Sequence, residues 1–82
     1  MNTSLGLHQL APGECGIVKH LHTLGSMRRR FSDIGLTENA LVECVGRSPF
    51  GDPSAYRIRG AVIAIRASDG CSVEIVRCRQ GG

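Results

Sequence analysis

Apolar and polar positions alternate through most of this chain. After a turn marked by Pro12 and Gly13, residues 15–23 place Cys15, Ile17 and Leu21 on one side and Val18, His20 and His22 on the other. A period of two is the repeat of a strand, because successive side chains point to opposite faces. Lys19 interrupts the apolar row and puts one end of that strand at the surface. The alternation returns over residues 41–45, 55–59, 61–66 and 72–77. Gly60 permits a tight hairpin between the third and fourth of these strands, and Ser68-Asp69-Gly70 a 3₁₀ or tight turn before the fifth.

Between the first two strands the period changes. Met27, Phe31 and Ile34 fall at i, i+4 and i+7, one stripe of a helix, and Ser26 offers a hydroxyl as N-cap. Gly35 suits the left-handed position past a helix end, where Leu36 folds back on the last turn. The spacing predicts one short helix over residues 27–34, with Arg28, Arg29 and Arg30 mostly off its apolar stripe, toward water. Five or six short strands with one inserted helix predict a mainly β domain, a small barrel that closes to hide its edges. Residues 1–6 and 80–82 carry no pattern and are expected to be loose.

The connection "SPFGDPSAYRIRG", residues 48–60, is the stiffest in the sequence. Pro49 and Pro53 fix φ and remove donors, Gly51 permits positive φ, and Asp52 is suited to cap a local turn. Phe50 stands at the tip, either as an anchor for a partner or as a lid over the barrel end.

Composition narrows the function without selecting it. With 82 residues the chain makes one domain, 1–82, and its 41% hydrophobic content suffices for a core. The net charge is +3, with arginine supplying nine of the ten basic residues. Nucleic-acid binders show a stronger, more clustered bias, so no nucleic acid is expected. No run approaches the roughly 18–20 apolar residues of a membrane span, and no signal pattern opens the chain, so the expected location is cytoplasmic without direct membrane insertion. Cys15, Cys44, Cys71 and Cys78 form no Cys-x-x-Cys pair. In a reducing cytosol they are most simply small buried apolar residues.

At this point residues 27–66, "MRRRFSDIGLTENALVECVGRSPFGDPSAYRIRGAVIAIR", resemble the FeoA family of ferrous-iron transport accessory proteins. The family pattern of a basic helix end, a V-x-V strand, a P-x-GDP loop and a G-x-x-x-ALR strand appears here piece by piece. It falls on Arg28, Arg29, Arg30 and Phe31, on Asp33 and Gly35, on Val42 and Cys44, on Pro49 with Gly51-Asp52-Pro53, and on Gly60 with Ala64-Ile65-Arg66. Upstream, Leu7, Leu10, Pro12-Gly13 and Gly16-Ile17-Val18 match the family's entrance. Glu38-Asn39 replaces a turn that is usually Pro-Gly-rich, and Asn tolerates positive φ. Ile65 stands where Leu is usual. The resemblance implies an SH3-like barrel with a helical insert, in the stand-alone form. It also implies an accessory or regulatory role in ferrous iron uptake, exerted on the cytosolic GTP-binding domain of the permease FeoB. The alternative is a transition-metal-binding or metal-sensing domain of the kind found in DtxR-type repressors.

Candidate chemistry is sparse. Asp33, Asp52 and Asp69 each have a turn or cap explanation, so no enzyme is expected. His20 and His22, two apart on a strand, point to one face and are the candidate metal pair, with Glu14, Cys44 or His8 as completions. A firm site needs three or four ligands, so no firm cofactor is expected, only weak Fe(II) or adventitious zinc. Three aromatics are too few for a polyproline groove. What remains is protein contact through Arg28, Arg29, Arg30, Pro49, Phe50 and Asp52, with homodimerisation left open.

Overall fold

The computed structural model describes residues 4–78. Six strands, β1 (Ser4–Gly6), β2 (Cys15–Leu21), β3 (Leu41–Arg47), β4 (Ser54–Ile58), β5 (Ala61–Ile65) and β6 (Val73–Cys78), are joined with two helices, α1 (Gly25–Asp33) and α2 (Ala67–Gly70), and a 3₁₀ turn at Leu7–Gln9. All neighbours pair antiparallel, in the spatial order β1-β6-β2-β3-β4-β5. The domain is therefore mainly β, and the sheet rolls over one core in which Leu7, Val18, Val42, Tyr56, Ile58 and Ile75 are buried. Among the described residues the hydrogen-bond ladder of this small barrel does not close fully, because β1 and β5 end the order and do not pair with each other. The 3₁₀ turn and α2 pack together at that seam instead.

The hairpin at Gly60 forms as expected. Arg59 and Gly60 have φ of 51° and 86°, the two positive values of a type I′ turn, whose twist matches the strands it joins. The helix end also forms as expected. Gly35 takes φ of 92°, its N–H donates to Ser32 O, and the Leu36 N–H donates to Phe31 O at 2.8 Å. Those two bonds make the Schellman closure, and Leu36 is fully buried against the core. Asn39, at φ of 71°, makes the turn that precedes β3.

Other local expectations need correction. Residues 4–6 are not loose: Ser4, Leu5 and Gly6 pair with Val76, Ile75 and Glu74, and a strand of three residues is too short for alternation to reveal. Residues 1–3 and 80–82 lie outside the described residues. The first long strand does not keep Val18 on the side of His20 and His22, because the register shifts between Val18 and His20. Lys19 is the extra residue of that bulge, so Val18 enters the core while both histidines stay at the surface. Helix α1 starts at Gly25, ahead of Ser26, and its cap position, Leu24, makes no side-chain cap bond.

The cysteines are not four buried thiols. Cys15 and Cys78 are bonded across β2 and β6, Cys44 is buried and Cys71 is exposed. Paired strands bring Cys15 and Cys78 opposite one another, at a Cα separation of 5.6 Å, within the span a disulfide bridges. A sequence distance of 63 residues hides that adjacency.

Tyr56 ties the two ends of the rolled sheet together. Its ring is buried and its hydroxyl donates to Leu7 O at 3.3 Å. Burial pushes the phenol pKa above its ordinary 10.0, since the phenolate is the form that burial penalises. A raised folded-state pKa gives a contribution that is complete below the unfolded value and is lost as pH rises through the folded one. Tyr56→Phe is expected to cost about 1 kcal/mol at neutral pH and to flatten the decline of stability above pH ~10. Urea titrations at neutral and alkaline pH measure both effects.

Candidate functional site

The stiff connection is held at its base and open at its tip. Ser48 N–H donates to Pro53 O at 3.1 Å and Gly51 N–H to Ser48 O at 2.8 Å, which closes the segment on itself. Asp52 does not cap a local turn. Its Oδ1 accepts from the Ala67 N–H at 2.8 Å, so it caps the first turn of α2 and fastens the loop to an element fifteen residues away. Phe50 is 95% exposed, which excludes the lid over the barrel end, and Pro49 beside it is exposed.

The three arginines do not form one patch. Successive residues of a helix are turned by about 100°, and the side chains diverge accordingly. Arg28 leans back over the end of β2, where its guanidinium donates to Leu21 O at 2.8 Å. Arg30 lies on the other flank, at the rim of a cleft of about 170 Å³ between α1 and β5. The helix side of that cleft is Met27, Phe31 and Ile34, and the opposite side is Ile63, Ala64 and Ile65, continued by Arg66 and Asp69. Arg29, Arg30 and Arg66 are exposed and have no side-chain hydrogen bond or ion pair among the described residues.

Arg30, the cleft, α2 and the 48–53 loop are thus consecutive. Arg66 and Asp69 line the cleft, Ala67 between them receives the Asp52 carboxylate, and Phe50 is two residues from Asp52. Arg30 lines the cleft with Arg66 and Asp69, and Asp52 reaches α2 at Ala67 between them, whereas Arg28 does not line the cleft. Sequence reasoning missed Arg66 and the cleft. The available signal was "AVIAI", residues 61–65, a strand without a single polar position.

The histidine pair sits elsewhere, on the outer side of β2. Its ring centroids are 6.0 Å apart. His22 Nε2 is 2.9 Å from Glu74 Oε1, and His20 Nδ1 is 3.7 Å from Glu38 Oε2. The hydrogen bond from His22 holds the Glu74 carboxyl below its ordinary range. Each imidazole thus faces a glutamate, and Glu14, Cys44 and His8 do not join them. Among the described residues no group of three or more His, Cys, Asp or Glu is placed to hold a metal ion.

Residues 5–80 match the FeoA domain. The chain belongs to the FeoA family. Iron(II) transport protein A from Clostridium thermocellum superposes with a TM-score of 0.85 at 25% identity, over 89% of this FeoA chain and 45% of that one, so this chain spans less than half of that protein. The zinc-complexed FeoA of Stenotrophomonas maltophilia superposes with a TM-score of 0.76 at 21% identity, over 87% of this chain and 88% of that one. That protein is described as a procaryotic SH3 domain protein and a candidate ferrous iron transport activating factor. A manganese-dependent transcriptional repressor reaches a TM-score of 0.82 at 18% identity, over 92% of this chain and 41% of that one. Below 25% identity these likenesses carry the fold alone, and the fold is the SH3-like barrel expected of the family. No curated protein matches the chain. Among the described residues no helix is long and apolar enough to cross a membrane.

Proposed function

We propose that this FeoA chain is a cytoplasmic accessory factor of ferrous iron uptake that acts by docking on the cytosolic GTP-binding domain of the permease FeoB. The observation that carries the reading is Phe50, an aromatic ring 95% exposed at the tip of a loop fastened by two internal hydrogen bonds and the Asp52 cap. A large apolar side chain left in water on a rigid support resembles an interface anchor, since little conformational freedom remains to be lost on binding. Arg29 and Arg30, free of ion pairs among the described residues, add attraction for an acidic partner. The family membership and the roles ascribed to its relatives supply the transport context. Catalysis is not part of this role: the chain contributes a surface.

Co-purification with the FeoB cytosolic domain, with GTP analogue, with GDP and without nucleotide, tests the reading. Phe50→Ala is expected to weaken capture by about tenfold, the effect of losing one anchor. Arg29→Ala with Arg30→Ala is expected to weaken it mainly at low salt, because exposed charges are screened as ionic strength rises. Failure of the wild-type chain to co-purify in every nucleotide state rejects the proposal. A metal-sensing role places the dependence on His20 and His22 instead: their double alanine variant would then abolish an iron-dependent effect while Phe50→Ala leaves it intact.

A further inference from the structure

Among the described residues strand β5 ends the sheet, and its outward main chain has no strand beside it. In the β4–β5 hairpin the closing pair is Ile58 and Ala61, and pairs alternate from there between hydrogen-bonded and not. Ala61, Ile63 and Ile65 therefore exchange bonds with β4, and the N–H and C=O groups of Val62 and Ala64 point away from it. Among the described residues no turn, loop or cap hydrogen bond engages those groups. Both residues are exposed, Val62 by 56%. Natural edges are blunted by lysine, proline or a bulge. Residues 61–65 contain none of these.

The cleft beside α1 runs along this same strand. At about 170 Å³ it is smaller than the roughly 300–1,000 Å³ of pockets that enclose a small molecule. An aliphatic side chain is a better match for its size. Its floor is apolar, and two unpaired guanidinium groups, Arg30 and Arg66, stand at its rim against one carboxylate, Asp69.

We infer that the β5 edge and the α1 cleft together form a strand-addition site, which takes an extended segment of a partner protein carrying apolar residues at alternate positions and carboxylates between them. The segment pairs with the Val62 and Ala64 main chain, sets one apolar side chain against Met27, Phe31 and Ile34, and meets Arg30 and Arg66 with its carboxylates. Main-chain pairing with side-chain pockets on one face is the physics of edge-strand peptide recognition. A second copy of this chain is a poor occupant. Its own β5 carries no carboxylate, and antiparallel pairing of two β5 strands would set Arg66 of one copy near Arg59 of the other. The inference rests on the reading that the chain works by protein contact, and it names a site distinct from Phe50.

The test uses a fluorescein-labelled Glu-Val-Glu-Val-Glu-Val peptide and its Lys-Val counterpart, with the 82-residue chain. Anisotropy is expected to show saturable binding of the acidic peptide and at least about tenfold weaker binding of the basic one. Ala64→Pro deletes an outward N–H that the β4 ladder does not use, and Arg30→Glu with Arg66→Glu reverses the rim. Each is expected to weaken binding by about tenfold. Wild-type amide NMR needs no variant: the Val62 and Ala64 signals move on titration and show contacts to peptide protons. No binding, equal binding of both peptides, shifts that leave β5 untouched, or a doubling of mass without peptide on β5 each overturn the inference. If the peptide binds while FeoB capture fails, the docking reading falls and the site stands. The converse removes only the site.

Discussion

Phe31→Ala is expected to lower the unfolding free energy by about 3–5 kcal/mol, the usual consequence of deleting a buried aromatic ring. Among the residues of α1, Phe31 is the one that is fully buried; Met27 and Ile34 are partly buried beside it. A helix of nine residues is too short to persist in water on its own sequence preferences, so α1 depends on that anchor for its structure. A domain of this kind has a total stability of about 5–15 kcal/mol. The loss is therefore a large part of the whole, and the cleft loses one wall with it. Urea unfolding followed by circular dichroism measures the midpoint, with Phe50→Ala as the matched control. Phe50 is also a phenylalanine but lies almost wholly in water, so its removal is expected to change stability by less than about 0.5 kcal/mol. Equal midpoints for the two variants would mean that α1 is not held to the barrel by Phe31. Read with the co-purification experiment, the pair separates a ring that holds the fold from a ring proposed to hold a partner.

The regular parts of the fold were legible because alternation and helical spacing are properties of consecutive residues. The stripe of Met27, Phe31 and Ile34, the Gly35 and Leu36 closure, the Gly60 hairpin and the positive φ at Asn39 are all local, and each stands where the sequence put it. The errors share a different origin. Pairing of residues 4–6 with β6, the bond between Cys15 and Cys78, and the reach of Asp52 to Ala67 are set by elements far apart in the chain. The bulge at Lys19 is local, but a charged residue in a strand marks an exposed position as readily as an inserted one, so the sequence alone does not separate the two. Divergence of Arg28 from Arg30 was implicit in the helix period and needed only the position of β5 to become a statement about a cleft. Candidate chemistry followed the same division: the exposed Phe50 tip was visible as a motif, whereas the β5 edge became visible only from the order of the strands.

Reduction of the Cys15–Cys78 bond is expected to cost up to about 4 kcal/mol, as large a change as the loss of Phe31. The bond closes a loop of 63 residues in sequence, and chain entropy assigns roughly 3 kcal/mol to a 15-residue loop and 4.7 to a 100-residue one. That contribution acts through the unfolded chain, which the bond restricts. The folded state keeps its strand pairing without it, because β2 and β6 remain joined from Gly16 with Arg77 to Leu21 with Val73. The reduced domain therefore stays folded at a lower urea midpoint, and Cys15→Ser with Cys78→Ser reproduces the reduced midpoint and abolishes its response to reductant. Cys44 is buried and Cys71 is the other free thiol, on the surface, so mass spectrometry after alkylation in urea distinguishes two modified cysteines before reduction from four after it. Equal midpoints with and without reductant, in protein shown to carry the bond, would rule out the entropic stabilisation. In the cytoplasm proposed for it the chain would meet a thiol-reducing medium. Its working stability there would be that of the reduced form, and the partner experiments belong in that state. The β5 edge is three strands from β2 in the sheet order, and the bonds that hold the loop carrying Phe50 involve neither Cys15 nor Cys78. Their geometry is expected to survive reduction, so capture of the FeoB domain and of the acidic peptide should be the same in both redox states while the urea midpoint moves.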